Sequence, residues 1–271
     1  MTDGRKAIFL DIDGTLSWHG AAPCDADIEA LRRARAAGHV ALINTGRSLG
    51  ILPETMVGVD YLDGYLCGCG TQLILHGREV FGGQLSREVL RRTAGFFLNA
   101  PGRCCLFEAE EGAYLIQCET DFNPWPAARP VRRADDFETV YPEARVTKLT
   151  VYGQITPAEY ALYDGCLEPV VQTSGRWYEA ILPGRGKGVG LRHVCESLGI
   201  PVENSIAIGD SDNDLDMFAH AGAAVAMAEA SASALRAARY LTGRCGEGGV
   251  AQAVNALVFG EGTVREMNNE E

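Results

Sequence analysis

The sequence predicts an α/β fold: a doubly wound parallel sheet interrupted by a separate α/β insertion. Three observations lead there. Short apolar runs alternate with helical patterns over the first quarter, the same alternation returns in the last third, and the middle breaks it.

Each element has a local reason. Ala7–Leu10 is an apolar run of buried-strand length. A loop over Ser17–Cys24 follows, with Asp25 as candidate N-cap of a helix. Ile28, Leu31 and Ala34 recur at helical spacing, with Arg32, Arg33 and Arg35 turned elsewhere. Gly38 closes that helix and Val40–Ile43 reads as a second buried strand, completing a βαβ unit. In the last third, Gly188–Leu198 reads as a helix with Val189, Val194 and Leu198 on one side, stopped by Gly199 and Pro201. Ser205–Ile208 is the next buried strand, before an acid-rich turn and a helix around Leu215–Ala221. Ala223–Met227 reads as a strand, Ala232–Ala238 as a surface helix, and Met267–Glu271 as a frayed tail.

The middle differs. Ser86–Leu98 predicts an amphipathic helix, and Cys104–Phe107 with Ala113–Cys118 predicts a hairpin around Glu110, Glu111 and Gly112. Residues 121–136 hold three prolines and the basic residues Arg129, Arg132 and Arg133, which reads as a long irregular loop. Strand-like runs return at Arg145–Tyr152, Val170–Thr173 and Trp177–Leu182. The expected organisation is one discontinuous domain, 1–82 and 183–271, with residues 83–182 inserted.

Composition limits the function classes. A chain of 271 residues with 46% hydrophobic residues can bury a sizeable core, and a charged fraction of 22% argues against disorder. The net charge of −12 argues against nonspecific nucleic-acid or anionic-membrane binding. No stretch is apolar for long enough to span a membrane, and Met1–Lys6 with Ala7–Leu10 is too short an apolar start for a signal peptide. Nine cysteines without zinc-site spacing read as reduced, packed thiols of a cytoplasmic protein. The five histidines are scattered and read as bland.

The chemistry gathers at strand ends. Asp11 and Asp13 sit two residues apart after the Ala7–Leu10 strand, with Gly14 and Thr15 turning the chain. A buried carboxylate pair needs a metal, a cation or a shared proton. Asn44-Thr45-Gly46-Arg47 follows the second strand, where a hydroxyl and freed N–H groups ahead of a helix can hold an oxyanion. Alone, that segment also reads as a plain helix cap. Lys187 lies among glycines in Gly184-Arg185-Gly186-Lys187-Gly188, where by itself it reads as a solvated loop lysine. Gly188 breaks the phosphate-loop template and Val189 the dinucleotide fingerprint. Gly209-Asp210-Ser211-Asp212-Asn213-Asp214 follows Ser205–Ile208, and its clustered oxygens suit a hard cation such as Mg2+. A calcium loop is excluded by Leu215 and Ala221 at its glycine and glutamate positions.

Taken together, these segments resemble the haloacid dehalogenase-like hydrolase superfamily. Asp11-Ile12-Asp13-Gly14-Thr15 matches its first motif, Thr45 its second, Lys187 its third, and Gly209-Asp210 with Asn213-Asp214 its fourth. Val225-Ala226-Met227 and Gly248-Gly249-Val250 are similar to the Cof-type phosphatase branch, which inserts a large α/β cap between the second and third motifs. The resemblance implies a Rossmann-like core and a phosphatase of small phosphorylated metabolites such as sugar phosphates. Asp11 would be the nucleophile and Asp13 the acid/base. Asp11, the Asp13 carbonyl and Asp210 would hold Mg2+. Thr45, Gly46, Arg47, Lys187 and Asn213 would bind phosphate, with Asn213 and Asp214 as supporting groups. The partner would be a small-molecule phosphate ester, with no nucleic acid or membrane, for a monomer or homodimer. An acid at position 13 assists alkoxide departure and so favours ester hydrolysis over an ATP-driven pump. The same motifs also serve a sugar phosphomutase, and a weakly catalytic phosphate-sensing protein is the alternative from another class. The chain departs from the branch pattern at Cys69-Gly70, where Asn-Gly is usual, and at Gly248-Gly249, where an acid commonly precedes the glycine.

Overall fold

The computed structural model describes residues 4–18, 20–116, 125, 127–171 and 175–267. The chain opens with β1 (Ala7–Leu10), α1 (Asp25–Ala36), β2 (Val40–Asn44), β3 (Gly64–Cys67), β4 (Gln72–Leu75) and β5 (Arg78–Phe81). Next come α2 (Arg87–Leu98), β6 (Cys104–Ala109), β7 (Gly112–Ile116), β8 (Arg129–Pro130), α3 (Asp136–Thr139), β9 (Val146–Tyr152), α4 (Pro157–Tyr163), β10 (Glu168–Val171) and β11 (Trp177–Ile181). The last third runs α5 (Lys187–Leu198), β12 (Ser205–Gly209), α6 (Leu215–His220), β13 (Ala223–Ala226), α7 (Ala232–Ala237), β14 (Tyr240–Leu241), α8 (Gly249–Val254) and β15 (Arg265–Glu266).

These elements form two compact units. The first comprises residues 1–46, 53–81 and 186–271, and the second residues 47–52 and 82–185. The first unit holds a nine-stranded sheet of order β15-β14-β13-β12-β1-β2-β3-β4-β5. β1 lies between β12 and β2 and is parallel to both, with Leu10 opposite Ile208 and Ile43. The chain leaves β1 to one side for β2 and returns to the other for β12. In open α/β sheets that reversal opens a ligand crevice at the carboxyl ends of the strands. Asp11, Thr45 and Asp210 follow those strands directly. One face is packed through Phe9, Leu42, Leu191, Val194 and Met217.

The second unit is built on a six-stranded sheet of order β10-β11-β9-β6-β7-β8. Cys105, Phe107, Tyr114, Leu149 and Tyr178 turn one face into a core with Leu90, Phe97, Phe137 and Tyr163 from the helices. The helix predicted over Ser86–Leu98 starts with the Ser86 hydroxyl accepting from the Val89 N–H.

Four expectations need correction. Asp25 is the first helical residue and Cys24 takes the N-cap position, without a side-chain cap bond. Residues 121–136 are in part ordered structure, because Arg129–Pro130 pairs in parallel with β7 and Asp136 opens α3. The inserted boundary also moves, since residues 47–52, 82 and 183–185 belong to the second unit. Ile51 is buried there with Cys104, Leu106, Ala113 and Leu115, and Gly50 lies so close to the Ala109 and Gly112 backbone that no Cβ fits. Finally, Lys187 is the first residue of α5 and is buried. Cys118, residues 172–174 and the tail beyond Met267, all part of sequence expectations, lie outside the described residues. None of the eight described cysteines forms a disulfide.

Candidate active site

The first-unit strands end in a turn that brings acids together. Gly14 takes φ +86°, the left-handed region that favours glycine, and its N–H donates to the Ser17 carbonyl (2.8 Å). A Cβ at Gly14 would lie 2.4 Å from Asp210 Oδ2, so the glycine lets the first and fourth motifs touch. Thr15 Oγ1 donates to Asp210 Oδ1 (3.0 Å). The Asp11 N–H donates to the Ile208 carbonyl (3.0 Å), which extends the β1–β12 ladder into the site.

Lys187 is the hub. Its side chain is 1% exposed, and Nζ donates to Asp11 Oδ1 (2.7 Å), Asp214 Oδ1 (2.7 Å) and Asn213 Oδ1 (3.2 Å). Asp214 Oδ2 accepts from the Asp210 and Ser211 N–H groups (2.9 and 3.0 Å), so both its oxygens are committed to shaping the turn. One carboxylate oxygen from each of Asp11, Asp210 and Asp214 lies within 4.8 Å of the others. Three carboxylates against one ammonium leave the cluster short of positive charge. Burial drives the Asp11 carboxyl up to about 8, with Lys187 opposing and Asp214 and Asp210 adding to the rise. Burial and Asp214 push Asp210 up to about 7 against the Thr15 hydroxyl and Lys187. Burial also works against the Lys187 charge, but Asp11 and Asp214 outweigh it and hold the ammonium above the ordinary lysine value.

Asp13 is exposed, with its carboxylate outside the metal-type cluster. Thr45 is buried at the end of β2, and its N–H donates to the Leu66 carbonyl (2.9 Å). No α-helix follows it: the next element is a 3-10 turn at Leu49–Ile51. The α-helix expected after Thr45 is therefore replaced by one short 3-10 turn. Gly46 closes the first unit's segment and Arg47 opens the second's. Arg47 Nη1 donates to the Ile51 carbonyl (3.2 Å), and its guanidinium lies 5.9 Å from the Trp125 ring centroid.

Sequence reasoning missed three supports. Asn44 is fully buried and its Nδ2 donates to the Lys187 carbonyl (3.0 Å). That carbonyl fixes the amide orientation and leaves Asn44 Oδ1 without a hydrogen-bond partner. Asp216 Oδ2 accepts from the Gly188 N–H (2.7 Å), capping the helix that begins at Lys187. Thr15 is the third, through Asp210. Only the helix-start acid had a local signal, Asp216 beside the acidic turn; the other two are contacts across 143 and 195 residues.

Comparison with known proteins identifies the family. A family profile described as haloacid dehalogenase-like hydrolase covers residues 8–254. The chain is a haloacid dehalogenase-like hydrolase. Among solved structures, this hydrolase is 25% identical to a sugar phosphatase of subclass IIB, covering 94% of this chain and 99% of the other with a TM-score of 0.75. It is also 25% identical to a haloacid dehalogenase-like hydrolase from Bacteroides thetaiotaomicron, covering 93% and 99% with a TM-score of 0.75. A curated relative, the chloroplastic endoribonuclease YBEY of Arabidopsis thaliana, is 27% identical over 240 residues. That match takes in 75% of this hydrolase but only 38% of the relative, so the hydrolase spans well under half of that protein. No helix among its described residues is long and apolar enough to cross a membrane.

Proposed function

We propose that this hydrolase is a Mg2+-dependent phosphatase of small phosphorylated metabolites, sugar phosphates foremost, working through an aspartyl-phosphate. The observation that carries the reading is the buried Lys187 ammonium shared by Asp11 and Asp214, with Asp210 in the same cluster. It supplies a nucleophile and a cation where parallel strands end, and phosphoryl transfer needs little beyond positioning and electrostatics.

In this reading Asp11 attacks phosphorus, forming a bond to phosphorus as the ester P–O bond breaks. Asp13, exposed and therefore in reach of solvent, gives its proton to the departing alkoxide and then takes one from the water that releases phosphate. The Lys187 ammonium and the Thr45 hydroxyl hold the equatorial oxygens, and Gly46 adds backbone. Asn213 and Asp214 fix the direction of Nζ. Asp11, the Asp13 carbonyl and Asp210 would form an oxygen-only donor set that suits Mg2+, which when bound would supply Lewis acidity and offset the charge between carboxylates and phosphate. The two raised carboxyls fit that assignment, because acids that burial keeps from ionising are those a cation would ionise. The second unit is assigned the selection of substrate. The sugar phosphatase among the similar structures supports a small-molecule substrate, and the net charge of −12 argues against nucleic acid or an anionic membrane as partner.

The test is release of inorganic phosphate from 4-nitrophenyl phosphate and a panel of sugar phosphates with Mg2+. Turnover that EDTA and Asp11→Asn both abolish in a folded protein is the expected result. Turnover surviving in Asp11→Asn sinks the nucleophile assignment, and sugar-phosphate isomerisation without free phosphate would mark a phosphomutase.

A further inference from the structure

The start of α5 is held by two side chains of α6 that the phosphatase reading leaves unused. Asp216 sits in the first turn of α6 and His220 in its last. Asp216 Oδ2 accepts from the Gly188 N–H (2.7 Å), and its Oδ1 lies 3.2 Å from His220 Nδ1. The same Nδ1 lies 2.7 Å from the Asp216 carbonyl oxygen. A carbonyl only accepts, so Nδ1 carries the hydrogen, and the imidazole braces the backbone and the carboxylate of Asp216 together.

Glycines on both sides of Lys187 make room for this brace. A Cβ at Gly186 would lie 2.4 Å from Asp216 Oδ2, and one at Gly188 would lie 2.2 Å from His220 Nδ1 and 2.8 Å from Asp216 Oδ1. Glycine is a poor helix former, yet Gly188 is the second residue of α5. Capping alone does not call for that arrangement. Serine or aspartate at the N-cap would supply an acceptor locally, whereas Gly186 occupies that position and the acceptor comes from α6. The result is a lysine fixed at both ends. Nζ rests on Asp11, Asp214 and Asn213, while the Lys187 carbonyl accepts from Asn44 and the next N–H donates to Asp216. The stem between is flexible, so the reach of Nζ depends on where the backbone is held. A misplacement of about 1 Å at a reacting group costs on the order of a hundred-fold in rate.

We infer that Asp216 and His220 are positioning residues for the Lys187 ammonium. They fix the start of α5 so that Nζ meets the equatorial oxygens of the transferring phosphoryl group, and they act through Lys187 rather than on substrate. The inference rests on the phosphatase reading above and deepens it.

The experiment measures kcat, KM and the Mg2+ concentration giving half-maximal rate with 4-nitrophenyl phosphate, well below the melting temperature of each variant. Asp216→Ala should lower kcat by about ten-fold or more, with KM and Mg2+ half-saturation kept within about three-fold, because contacts that strengthen in the transition state show in kcat. If Asp216→Ala does not fold, the His220 variants decide. His220→Leu should lower kcat about five-fold, and His220→Asn should bring it back to within about two-fold of wild type. The asparagine amide can donate to the carbonyl four residues back, as Asn99 Nδ2 does to the Gly95 carbonyl (2.7 Å). A purely structural brace would lower the melting temperature of His220→Leu and leave kcat unchanged, which overturns the inference. A shifted Mg2+ half-saturation overturns it too, by placing the effect at Asp210. Both outcomes leave the phosphatase reading standing, whereas a wild type that hydrolyses no phosphate ester removes that reading and this one with it.

Discussion

Replacing Asp11, the proposed nucleophile, should make the metal-free protein more stable. Asp11 ionises near 3.8 in an unfolded chain, but burial holds it up to about 8 in the folded one. Between those values the folded state binds the extra proton, so stability falls as pH rises across the window. Each pH unit is worth about 1.4 kcal/mol per fully coupled group. From 3.8 to neutrality the ceiling is therefore about 4 kcal/mol. Asp210 and Asp214 share the same cage and remain after substitution, so we take about half of that, ~2 kcal/mol, as the gain in Asp11→Asn. The amide keeps an oxygen for Lys187 Nζ, so the ammonium retains its contacts. The assay is urea denaturation of wild type and Asp11→Asn in EDTA at several pH values. The two curves should coincide near pH 4, separate through pH 5–7 with the variant more stable, and run parallel above about 8. A variant that is less stable at pH 7, or a difference independent of pH, would refute the reading that burial outweighs the Lys187 contact at Asp11.

Three further outcomes follow from neighbouring contacts. Mg2+ should raise the melting temperature more at pH 8 than at pH 5.5, since binding requires ionised Asp11 and Asp210, and about 2.7 kcal/mol is expected at a hundred-fold excess over Kd; an equal shift at both pH values contradicts the site. Gly14→Ala should lose about 1–3 kcal/mol and weaken Mg2+ binding, because its Cβ displaces Asp210 and its φ is positive; Gly20→Ala, also at positive φ but with open space around it, should lose stability without touching Mg2+ affinity. Asn44→Asp keeps the shape but turns an oxygen toward the Lys187 carbonyl, so kcat should fall at least ten-fold in a folded protein, an effect that calorimetry and turnover can separate.

The strand ends were readable because chemistry and pattern coincide there. Asp11, Asp13 and Asp210 follow apolar runs that can only be buried, and the strands found at Ala7–Leu10, Val40–Asn44 and Ser205–Gly209 lie within one residue of the predicted spans. What escaped depends on contacts that no local window contains. Lys187 looked like a loop lysine because glycines flank it, yet Asp216 capping Gly188 starts a helix at that residue and draws it inside. Asn44 looked like the end of a strand, and its use is visible only once α5 lies beside β2. Residues 47–52 follow a first-unit strand in sequence, but Ile51 finds its apolar neighbours on β6 and β7. Cys69 adopts φ +53°, a conformation asparagine tolerates better, at the position where the family pattern has Asn.

The most direct measurement of the central claim is to find the phosphoryl group. Wild-type protein mixed with Mg2+ and a substrate in excess, quenched in acid within the first turnovers and mapped by mass spectrometry, should carry a hydroxylamine-labile phosphate on the peptide containing Asp11, and Asp11→Asn should carry none. A phosphate on any other residue, or efficient hydrolysis with no covalent intermediate in a protein whose Asp11→Asn form is equally active, would contradict the account.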